Sequence, residues 1–421
     1  MKKIVSALLG FALALGLFAC GNTPEVKEEP ATLSVGFGRA NITPEKTVHM
    51  AGYGDDLTRR SEGVMDELFV TCVAITDSAG NSAILITADL LDAAPHVNLR
   101  GAVAKATGIP FDQIIFCATH THSAPRPSDT NPKFVNQLKE GVVTAATEAM
   151  ADRAPVQTQT GNAHVAGLTY VRHYINQDGS IMGNNFGDHT QPILGHTTEA
   201  DDLLQVIRFQ REDKKDVVLV NWQGHPLIAS TGSDEARANR LLLSSDYVGP
   251  CRDHVEAESN SLVAFFLSGS GNSNSYSYIE GEGVTDHRVY GKTLGAEVVK
   301  VLENMTAVNT AAITTAKVQP TLTTAKGKEG TLDMYAVATG DISFVSAPYE
   351  MFDTTAMAIK EGSPYQMTFI ITLANGDTGY MPTQECWDYP DCYEVKSCNF
   401  QRGTAETLQE EYLKMLNNLH G

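Results

Sequence analysis

The sequence of 421 residues predicts one large domain of the mixed α/β class, with extended mixed β-sheets flanked by helices. Short apolar runs rich in Val, Ile and Phe are interspersed with segments whose apolar residues recur every three or four positions. No Gly/Ser-rich or Pro-rich break and no internal repeat divides residues 33–421. Strands and helices do not strictly alternate, so we do not expect a simple doubly wound fold.

The strands are predicted from nine apolar runs bounded by polar or glycine residues. In chain order these runs are LSVGFG (33–38), LFVTCVAI (68–75), AILITADL (83–90), QIIFCAT (113–119), LLQVIRFQ (203–210), DVVLVNW (216–222), LVAFFLSG (262–269), ISFVSAP (342–348) and MTFIITLAN (367–375). The helices are predicted from three-to-four periodicity and lie at 96–107, 132–150, 246–258, 287–304, 350–361 and 404–419.

Polar side chains follow several of these strands directly. Asp89 ends one run, His120 and His122 follow the next, His225 follows DVVLVNW, and Tyr380 comes after MTFIITLAN. Packing alone does not account for reactive side chains at so many strand ends. The sequence therefore predicts a site at a shared rim of the sheets, with the His-x-His pair as one edge of a metal site. Hydrogen-bonded loop histidines are the alternative.

The first residues have the features of an export signal. Residues 1–19 have a basic start and an apolar segment too short to span a bilayer comfortably. The tetrad LFAC ending at Cys20 resembles the lipobox of bacterial lipoproteins, in which the cysteine is lipidated. We expect residues 20–32 to be a flexible tether and the chain to be lipid-anchored in a bacterial cell envelope, with a plain N-terminal membrane anchor as the alternative.

Charge and motifs exclude two classes of partner. The formal net charge of −19 repels phosphate backbones, and no basic patch with interleaved aromatic residues occurs, so we expect no nucleic-acid partner. The glycine-containing stretch SGSGNSNS lacks both the Gly-Lys-Ser/Thr ending of a phosphate-binding loop and the spacing of a dinucleotide fingerprint. We therefore expect no nucleotide cofactor and interpret this stretch as a tight turn lining the site.

The cysteines fall into two groups. Cys72 and Cys117 lie in strand-like runs and are predicted to be buried apolar residues. Cys386, Cys392 and Cys398 are close in sequence, and in an exported chain such a group predicts a disulfide whose pairing is left open. The spacing of six residues does not match the short cysteine pairs of structural zinc sites, so a zinc ribbon is disfavoured.

Taken together, the motifs resemble the catalytic domain of the neutral, non-lysosomal ceramidases and their bacterial relatives. The matching motifs occur in order over most of residues 33–400. They are GFGRANITP, MAGYG, ATHTHSAP, the Arg of YVRHY, NWQGHP, SGSGNSNS, SAPYE, NGDTGYMPTQE and CYE. The resemblance implies an amidohydrolase with one catalytic Zn²⁺ and a lipid or N-acyl substrate.

Ligands and catalytic groups are implied by the same resemblance. It assigns the zinc to two histidines, a glutamate and a tyrosine, and imidazole and carboxylate are ordinary zinc ligands, whereas a phenolate is a rarer one. It also implies a histidine, an arginine and a tyrosine that face the scissile carbonyl. The implied metal ligands are His120, His225, Glu350 and Tyr380, and the implied catalytic residues are His122, Arg172 and Tyr393.

Three further residues are predicted to support the site. Asp89 is a candidate partner for a ligand histidine, with loop capping as the alternative. Asn272 and Asn274 lie in the predicted site loop. Ceramidases have a serine followed by proline where this chain has Asn274, which disfavours a serine nucleophile.

The resemblance predicts zinc-dependent cleavage of the N-acyl amide bond of ceramide or a related lipid by activated water. Two alternatives remain open. One is a surface deacylase or esterase acting on glycans or other polar acyl conjugates. The other is a lipid-anchored binding protein without catalysis.

Overall fold

A computed structural model describes residues 32–54, 58–183 and 192–421. The predicted signal peptide (1–19), Cys20 and the tether up to residue 31 lie outside the described residues. The helices are α1 Leu99–Thr107, α2 Pro132–Asp152, α3 Ile228–Thr231, α4 Asp234–Ala238, α5 Val248–Glu258, α6 His287–Leu302, α7 Asp353–Gly362, α8 Tyr393–Lys396 and α9 Thr404–His420, with 3-10 turns at Phe111–Gln113 and Gln384–Asp388.

The strands are numbered in chain order. They are β1 Ser34–Asn41, β2 Gly63–Val64, β3 Phe69–Thr76, β4 Ser82–Ala88, β5 Ile114–Ala118, β6 Ala154–His164, β7 Tyr170–Val171, β8 Tyr174–Asn176, β9 Ile181–Met182, β10 Ile193–His196, β11 Leu203–Arg211, β12 Asp216–Trp222, β13 Leu242–Leu243, β14 Ser261–Leu267, β15 Ser273–Asn274, β16 Thr306–Ala307, β17 Thr314–Val318, β18 Thr321–Thr323, β19 Glu329–Thr331, β20 Met334–Thr339, β21 Ile342–Ser346, β22 Glu350–Met351, β23 Met367–Ile371 and β24 Tyr380–Met381.

The main sheet has the strand order β14-β12-β11-β6-β1-β3-β4-β5, and β16 pairs with β6. Its inner pairs are antiparallel, whereas the pairs at its two ends, β4–β5 and β12–β14, are parallel. A second sheet, β17-β20-β21-β23, ends in the parallel pair β21–β23. Mixed sheets flanked by helices in one domain confirm the predicted fold class.

The main sheet curls so that its two halves face each other. One buried cluster contains Leu85 of β4 and Ile115 of β5 from one half, together with Leu219 of β12 and Phe266 of β14 from the other. Phe344 of the second sheet lies in the same cluster, so that sheet packs against the opening between the two halves. As a result, the strands at opposite ends of the strand order become neighbours in space.

Helices cover the outer faces of this sandwich. The apolar faces of α1 and α2 pack on the half that contains β4 and β5, and those of α5 and α6 pack on the half that contains β12 and β14. Helices α7 and α9 cover the outer face of the second sheet. These helices have the amphipathic pattern that predicted them, because only one face of each meets the core.

All nine predicted strands and six predicted helices are present. The predicted helix 350–361 begins only at Asp353, because Glu350–Met351 pairs as β22 instead. The longest strand, β6, was not predicted: its sequence APVQTQTGNAH is dominated by polar residues, although β6 lies between β11 and β1. Within the described residues, we find no helix that combines the length and the apolar character needed to cross a membrane.

Candidate metal centre and active site

Three parallel strand pairs deliver side chains to one place. His120 follows β5, His225 follows β12, and Glu350 and Tyr380 follow the neighbouring strands β21 and β23. The carboxyl ends of parallel strands lie at the same edge of a sheet, and the curl of the main sheet brings its two parallel ends together. The rings of His120 and His225 are consequently only 4.4 Å apart between centroids.

His120 is fixed in one orientation. Its φ of 66° is in the left-handed region, which non-glycine residues adopt at a cost that often marks functional positions. Its Nδ1–H donates to the Leu91 carbonyl at 2.6 Å, which leaves the Nε2 lone pair for another partner. Nε2 lies 3.3 Å from Oε2 of Glu350, and both atoms are buried without a well-aligned hydrogen bond among the described residues.

His225 is oriented in the same manner. Its Nδ1–H donates to the Ser270 carbonyl at 3.1 Å, so its Nε2 faces the other imidazoles, and Nε2 of His122 lies 2.8 Å away. Burial and nearby positive charge hold the pKa of His122 and of His225 well below 6.5, so both rings are neutral. A neutral imidazole with its second nitrogen tied to a carbonyl is the form that binds metal ions.

Glu350 and Tyr380 are opposite each other on β22 and β24, which pair in parallel. Burial and the Glu350 charge raise the pKa of Tyr380 well above 10, so without a cation its phenol is neutral. A bound metal ion would reverse this effect by stabilising the phenolate. For His120, burial lowers the pKa, but the charge of Glu350 outweighs burial and raises it.

Arg172 is held beside this group by a buried carboxylate. Its Nε donates to Glu394 at 2.6 Å and its Nη2 donates to the Gly271 carbonyl at 2.8 Å. Its guanidinium lies 5.3 Å from the centre of the Tyr380 ring. Burial opposes ionisation, but Arg172 and His173 together lower the pKa of Glu394 to about 2, so the ion pair is permanent at neutral pH.

The site opens into a cavity of about 890 Å³. Six of the seven predicted metal and catalytic residues line it, and the seventh, His225, is buried behind them. Asn274 also lines the cavity, with a buried Oδ1 that forms no hydrogen bond among the described residues. The lining residues predicted from sequence are His120, His122, Arg172, Glu350, Tyr380 and Tyr393.

Two predicted supporting residues, Asp89 and Asn272, do not line the cavity. Asp89 pairs with Arg252 of α5 at 2.6 Å and accepts a hydrogen bond from the Phe69 amide, while the Leu91 carbonyl orients His120. Asn272 exchanges hydrogen bonds with Asp353, and its carbonyl accepts from the Arg172 amide. Asn272 therefore supports Arg172 through a backbone hydrogen bond. Asp89, which directly follows β4, joins α5 to the first residue of β3.

Two neighbours of the site were not predicted as site residues. Tyr53 of the MAGYG motif lies 5.1 Å from the His122 ring, and its hydroxyl contacts Ser230 at 2.5 Å. Glu394, in the CYE motif, holds Arg172. Both lie within motifs that were quoted for the resemblance, but a sequence does not tell which member of a motif faces inward.

The late cysteines are arranged differently from the prediction. All cysteines among the described residues are unpaired, so the structure contains no disulfide in this group. Cys386 and Cys392 lie together, each with its Sγ 3.9 Å from a ring nitrogen of His173. Cys398 packs separately, where its Sγ donates to the Phe400 carbonyl. Cys386 and Cys392 therefore form one pair of neighbouring thiols, and Cys398 lies apart from them.

The side chains around His120 fit a metal ion. Three histidines each offer a ring nitrogen, all within 4.8 Å of one another, and Glu350 adds a carboxylate oxygen. Buried lone pairs that lack partners are costly, and a cation bound among them would remove that cost. The orphaned Nε2 of His120 and Oε2 of Glu350 face each other in this position.

No family model and no curated protein match the sequence. Solved structures do match. A neutral ceramidase from Pseudomonas aeruginosa has a TM-score of 0.73 at 17% identity, over 92% of this chain and 74% of that one. A ceramidase complexed with C2 has a TM-score of 0.75 at 17% identity, over 93% of this chain and 75% of that one. The chain thus has the neutral ceramidase fold, which confirms the resemblance predicted from its motifs.

Proposed function

We propose that this chain is a zinc-dependent hydrolase of the neutral ceramidase type, which cleaves the N-acyl amide bond of ceramide or a related N-acyl lipid. The observation that carries this proposal is that His120, Glu350 and Tyr380 line one cavity, with the His225 ring 4.4 Å behind that of His120. These four side chains come from three separate parallel strand pairs. Packing alone would not require them to meet.

In this proposal the same four residues hold one Zn²⁺. When bound, zinc supplies a Lewis acid that lowers the pKa of water towards about 7 and polarises a carbonyl oxygen. His122 lies next to the proposed ligands, 2.8 Å from His225, and its neutral ring can accept and return a proton at the cavity wall.

Arg172 and Tyr393 orient the substrate carbonyl and stabilise the negative charge that develops on its oxygen. Arg172 suits this role because its buried ion pair fixes its position before substrate arrives. Tyr393 lies 5.5 Å from the Tyr380 ring and lines the same cavity, so its hydroxyl adds a second donor on that side. The serine-nucleophile alternative has no support here, because the corresponding loop position is Asn274.

The cavity supports a lipid substrate. Tyr53, Tyr276, Tyr278 and Leu227 line it, and these side chains offer apolar surface to an acyl chain. A lipid anchor at Cys20, which we also propose, would keep the domain at a bacterial envelope membrane where such a substrate resides.

A second candidate function is the deacylation of a polar or anionic acyl conjugate. The observation that favours it is the presence of Arg237 and Arg240 in the cavity lining. Two guanidinium groups at the wall would bind a phosphate or carboxylate better than the neutral head of ceramide.

The test is release of fatty acid from a fluorescent N-acylsphingosine by the full chain in detergent, with and without a zinc chelator. We expect release that the chelator abolishes, and we expect His225→Ala to lose both zinc and turnover. Full activity of His225→Ala would contradict the site. Zinc-loaded protein that releases fatty acid only from anionic or polar acyl conjugates would favour the second candidate.

A further inference from the structure

A second group of metal-binding side chains lies behind Arg172. It consists of His173, Cys386, Cys392 and Glu394, here called the Cys-His-Glu cluster. Nε2 of His173 lies 2.9 Å from Oε2 of Glu394, and Sγ of Cys392 lies 3.2 Å from the same oxygen. Sγ of Cys386 is 3.9 Å from Nδ1 of His173. The ligand atoms of His173, Cys392 and Glu394 therefore surround one small volume, and Cys386 lies at its edge, beside the other ring nitrogen of His173.

These four groups are all buried. The exposed fraction is 5% for Cys386, 3% for Cys392, 2% for His173 and zero for Glu394. Water is therefore nearly excluded, and apolar contacts from Phe352 and Tyr389 enclose the His173 ring. The burial of the Glu394 carboxylate is explained by its pairing with Arg172 and His173. That pairing does not require two thiols beside it, and thiols next to an imidazole and a carboxylate form a set of side chains that can bind a metal ion.

The spacing agrees with a tetrahedral ion. Zinc bonds of about 2.3 Å to sulfur and about 2.0–2.1 Å to nitrogen place neighbouring ligand atoms roughly 3.5 Å apart. The separations of 3.9 Å between Cys392 Sγ and His173 Nε2 and of 3.2 Å between Cys392 Sγ and Glu394 Oε2 lie on either side of that value. The ligand atoms of His173, Cys392 and Glu394 all lie within 4.8 Å of one another.

We propose that His173, Cys386, Cys392 and Glu394 bind a second metal ion, of the soft divalent class represented by Zn²⁺. Two sulfur ligands select such an ion over Mg²⁺ or Ca²⁺, which prefer oxygen. Four protein ligands in a buried setting leave no position for water, so the ion has a structural role. This site does not depend on the proposed function of the cavity.

Binding of a divalent ion at this cluster releases protons from its ligands. Both cysteines bind as thiolates, so two thiol protons leave. His173, an imidazolium beside the Glu394 carboxylate, loses its Nε2 proton and keeps the one on Nδ1, so three protons are released per ion. In the structure, Nε2 of His173 and the Cys392 thiol both donate to Oε2 of Glu394, and the ion would take the place of these two of the three protons. The other oxygen, Oε1, remains bonded to Arg172.

The ion would connect two distant parts of the chain. Cys386, Cys392 and Glu394 lie in the segment 384–396, which also contains Tyr393, whereas His173 follows β7 and is adjacent to Arg172. Bridging them would hold the two groups proposed to orient the substrate carbonyl at a fixed separation. The spacing of six between Cys386 and Cys392 hides this site from sequence, because the remaining ligands include a histidine 213 residues away.

The experiment measures metal in the full chain, purified in detergent without chelator, by elemental analysis and by exchange with Co²⁺. We expect a sulfur-to-cobalt charge-transfer absorption band, which requires thiolate ligands. The band should be lost in the double variant Cys386→Ser/Cys392→Ser, which should also hold one zinc fewer per chain. It should remain in Cys398→Ser, the matched control, and in His225→Ala, which alters only the cavity site.

Two outcomes would overturn the proposal. One is peptide mapping that finds Cys386 linked to Cys392 by a disulfide in protein that is active and folded. The other is a double variant that holds as much zinc as the wild type, together with a cobalt-exchanged wild type that shows no cobalt–thiolate band. If the double variant does not fold, wild-type protein still gives the answer: modification of the two thiols with a mercurial should release about one zinc per chain, and release of none counts against the site.

Discussion

Glu350 and Tyr380 are paired in register across two short parallel strands, β22 and β24. This pairing places a carboxylate and a phenol side by side, each at the start of its strand. The Glu350 amide also donates to the Gly379 carbonyl at 2.9 Å, so the backbone fixes the two residues relative to each other. Backbone pairing therefore fixes the relative positions of the two proposed oxygen ligands, the Glu350 carboxylate and the Tyr380 phenol, whichever rotamers their side chains adopt.

Glu350→Gln tests this half of the site. Glutamine keeps the size of the side chain but removes the charge that faces Nε2 of His120. We expect the zinc affinity of the cavity site and kcat/KM to fall by more than the roughly 10–100-fold that loss of a contact supporting a ligand costs. Elemental analysis and fatty-acid release measure the two effects. Glu329→Gln, on exposed strand β19, is the matched control and should leave both unchanged.

Tyr393→Phe tests the proposed donor to the substrate carbonyl. Removal of one preorganised donor to a developing oxyanion costs about 10²–10³ in kcat. We expect a fall of that order with zinc content unchanged, because Tyr393 is not among the proposed ligands. Tyr389→Phe is the control: its hydroxyl donates to Glu385 at 2.7 Å, outside the cavity lining. Equal kcat values for wild type and Tyr393→Phe would remove this residue from the mechanism.

Gly271→Ala tests the close approach of the site loop to β22. A Cβ at this position would lie 2.7 Å from the Glu350 carbonyl oxygen, a backbone atom that rotation of a side chain cannot move. We expect lower activity and a lower thermal midpoint, since Gly271 also supplies the carbonyl that Arg172 contacts. Gly195→Ala, where a Cβ meets no atom within 4 Å among the described residues, should behave like wild type in both assays.

Asp89→Asn separates folding from catalysis. Asp89 and Arg252 form a buried ion pair, and removal of one buried partner typically costs about 3–5 kcal/mol. We expect a loss of that size in denaturant unfolding, while the folded variant keeps its zinc. Asp202→Asn breaks a pair with the exposed His164 and should have little effect. Loss of zinc from folded Asp89→Asn would instead restore the prediction that Asp89 orients a ligand histidine.

His287 and Asp66 predict a pH dependence of stability. Burial opposes both charges, but their 3.1 Å contact raises the pKa of His287 and, with other hydrogen bonds, lowers that of Asp66. The contribution of His287 is full below about 6.5 and is lost as pH rises through its raised folded pKa. The contribution of Asp66 is full above about 3.9 and is lost as pH falls through its lowered folded pKa.

His287→Gln should therefore destabilise the protein most between about pH 4 and 6.5, by roughly 1.5 kcal/mol for a charge-assisted hydrogen bond. The deficit should shrink as pH rises further. Denaturant unfolding at pH 5.5 and pH 9 measures it, and His164→Gln on an exposed pair provides the comparison. A deficit that grows with pH would show that His287 acts as a neutral packing residue.

The sequence predicted the strands whose faces are both buried. DVVLVNW has one apolar face in each of two cores, so it was recognisable as a continuous run and was observed as Asp216–Trp222. Strand β6 has a polar sequence and is held by pairing with β1 and β11, which lie far away in sequence. Its place in the sheet is a property of tertiary pairing that local pattern does not contain.

The site was predicted from motif order, and its supporting groups were not. His120, His225, Glu350 and Tyr380 are brought together, yet the groups that orient the histidines are the carbonyls of Leu91 and Ser270. Every residue has a carbonyl, so sequence carries no signal for which one faces a ring. The partner of Arg172 was equally hidden, because Glu394 is 222 positions away.

The curled main sheet has a consequence for folding. His120 and Glu350 are separated by most of the domain, and they meet only after the two ends of the sheet have closed against each other. Domains dominated by such long-range contacts fold slowly, since loop-closure entropy is lost before the contacts form. A metal ion that binds only the closed sheet would bind after the folding transition state and stabilise the native state alone. It would therefore slow unfolding more than it speeds folding.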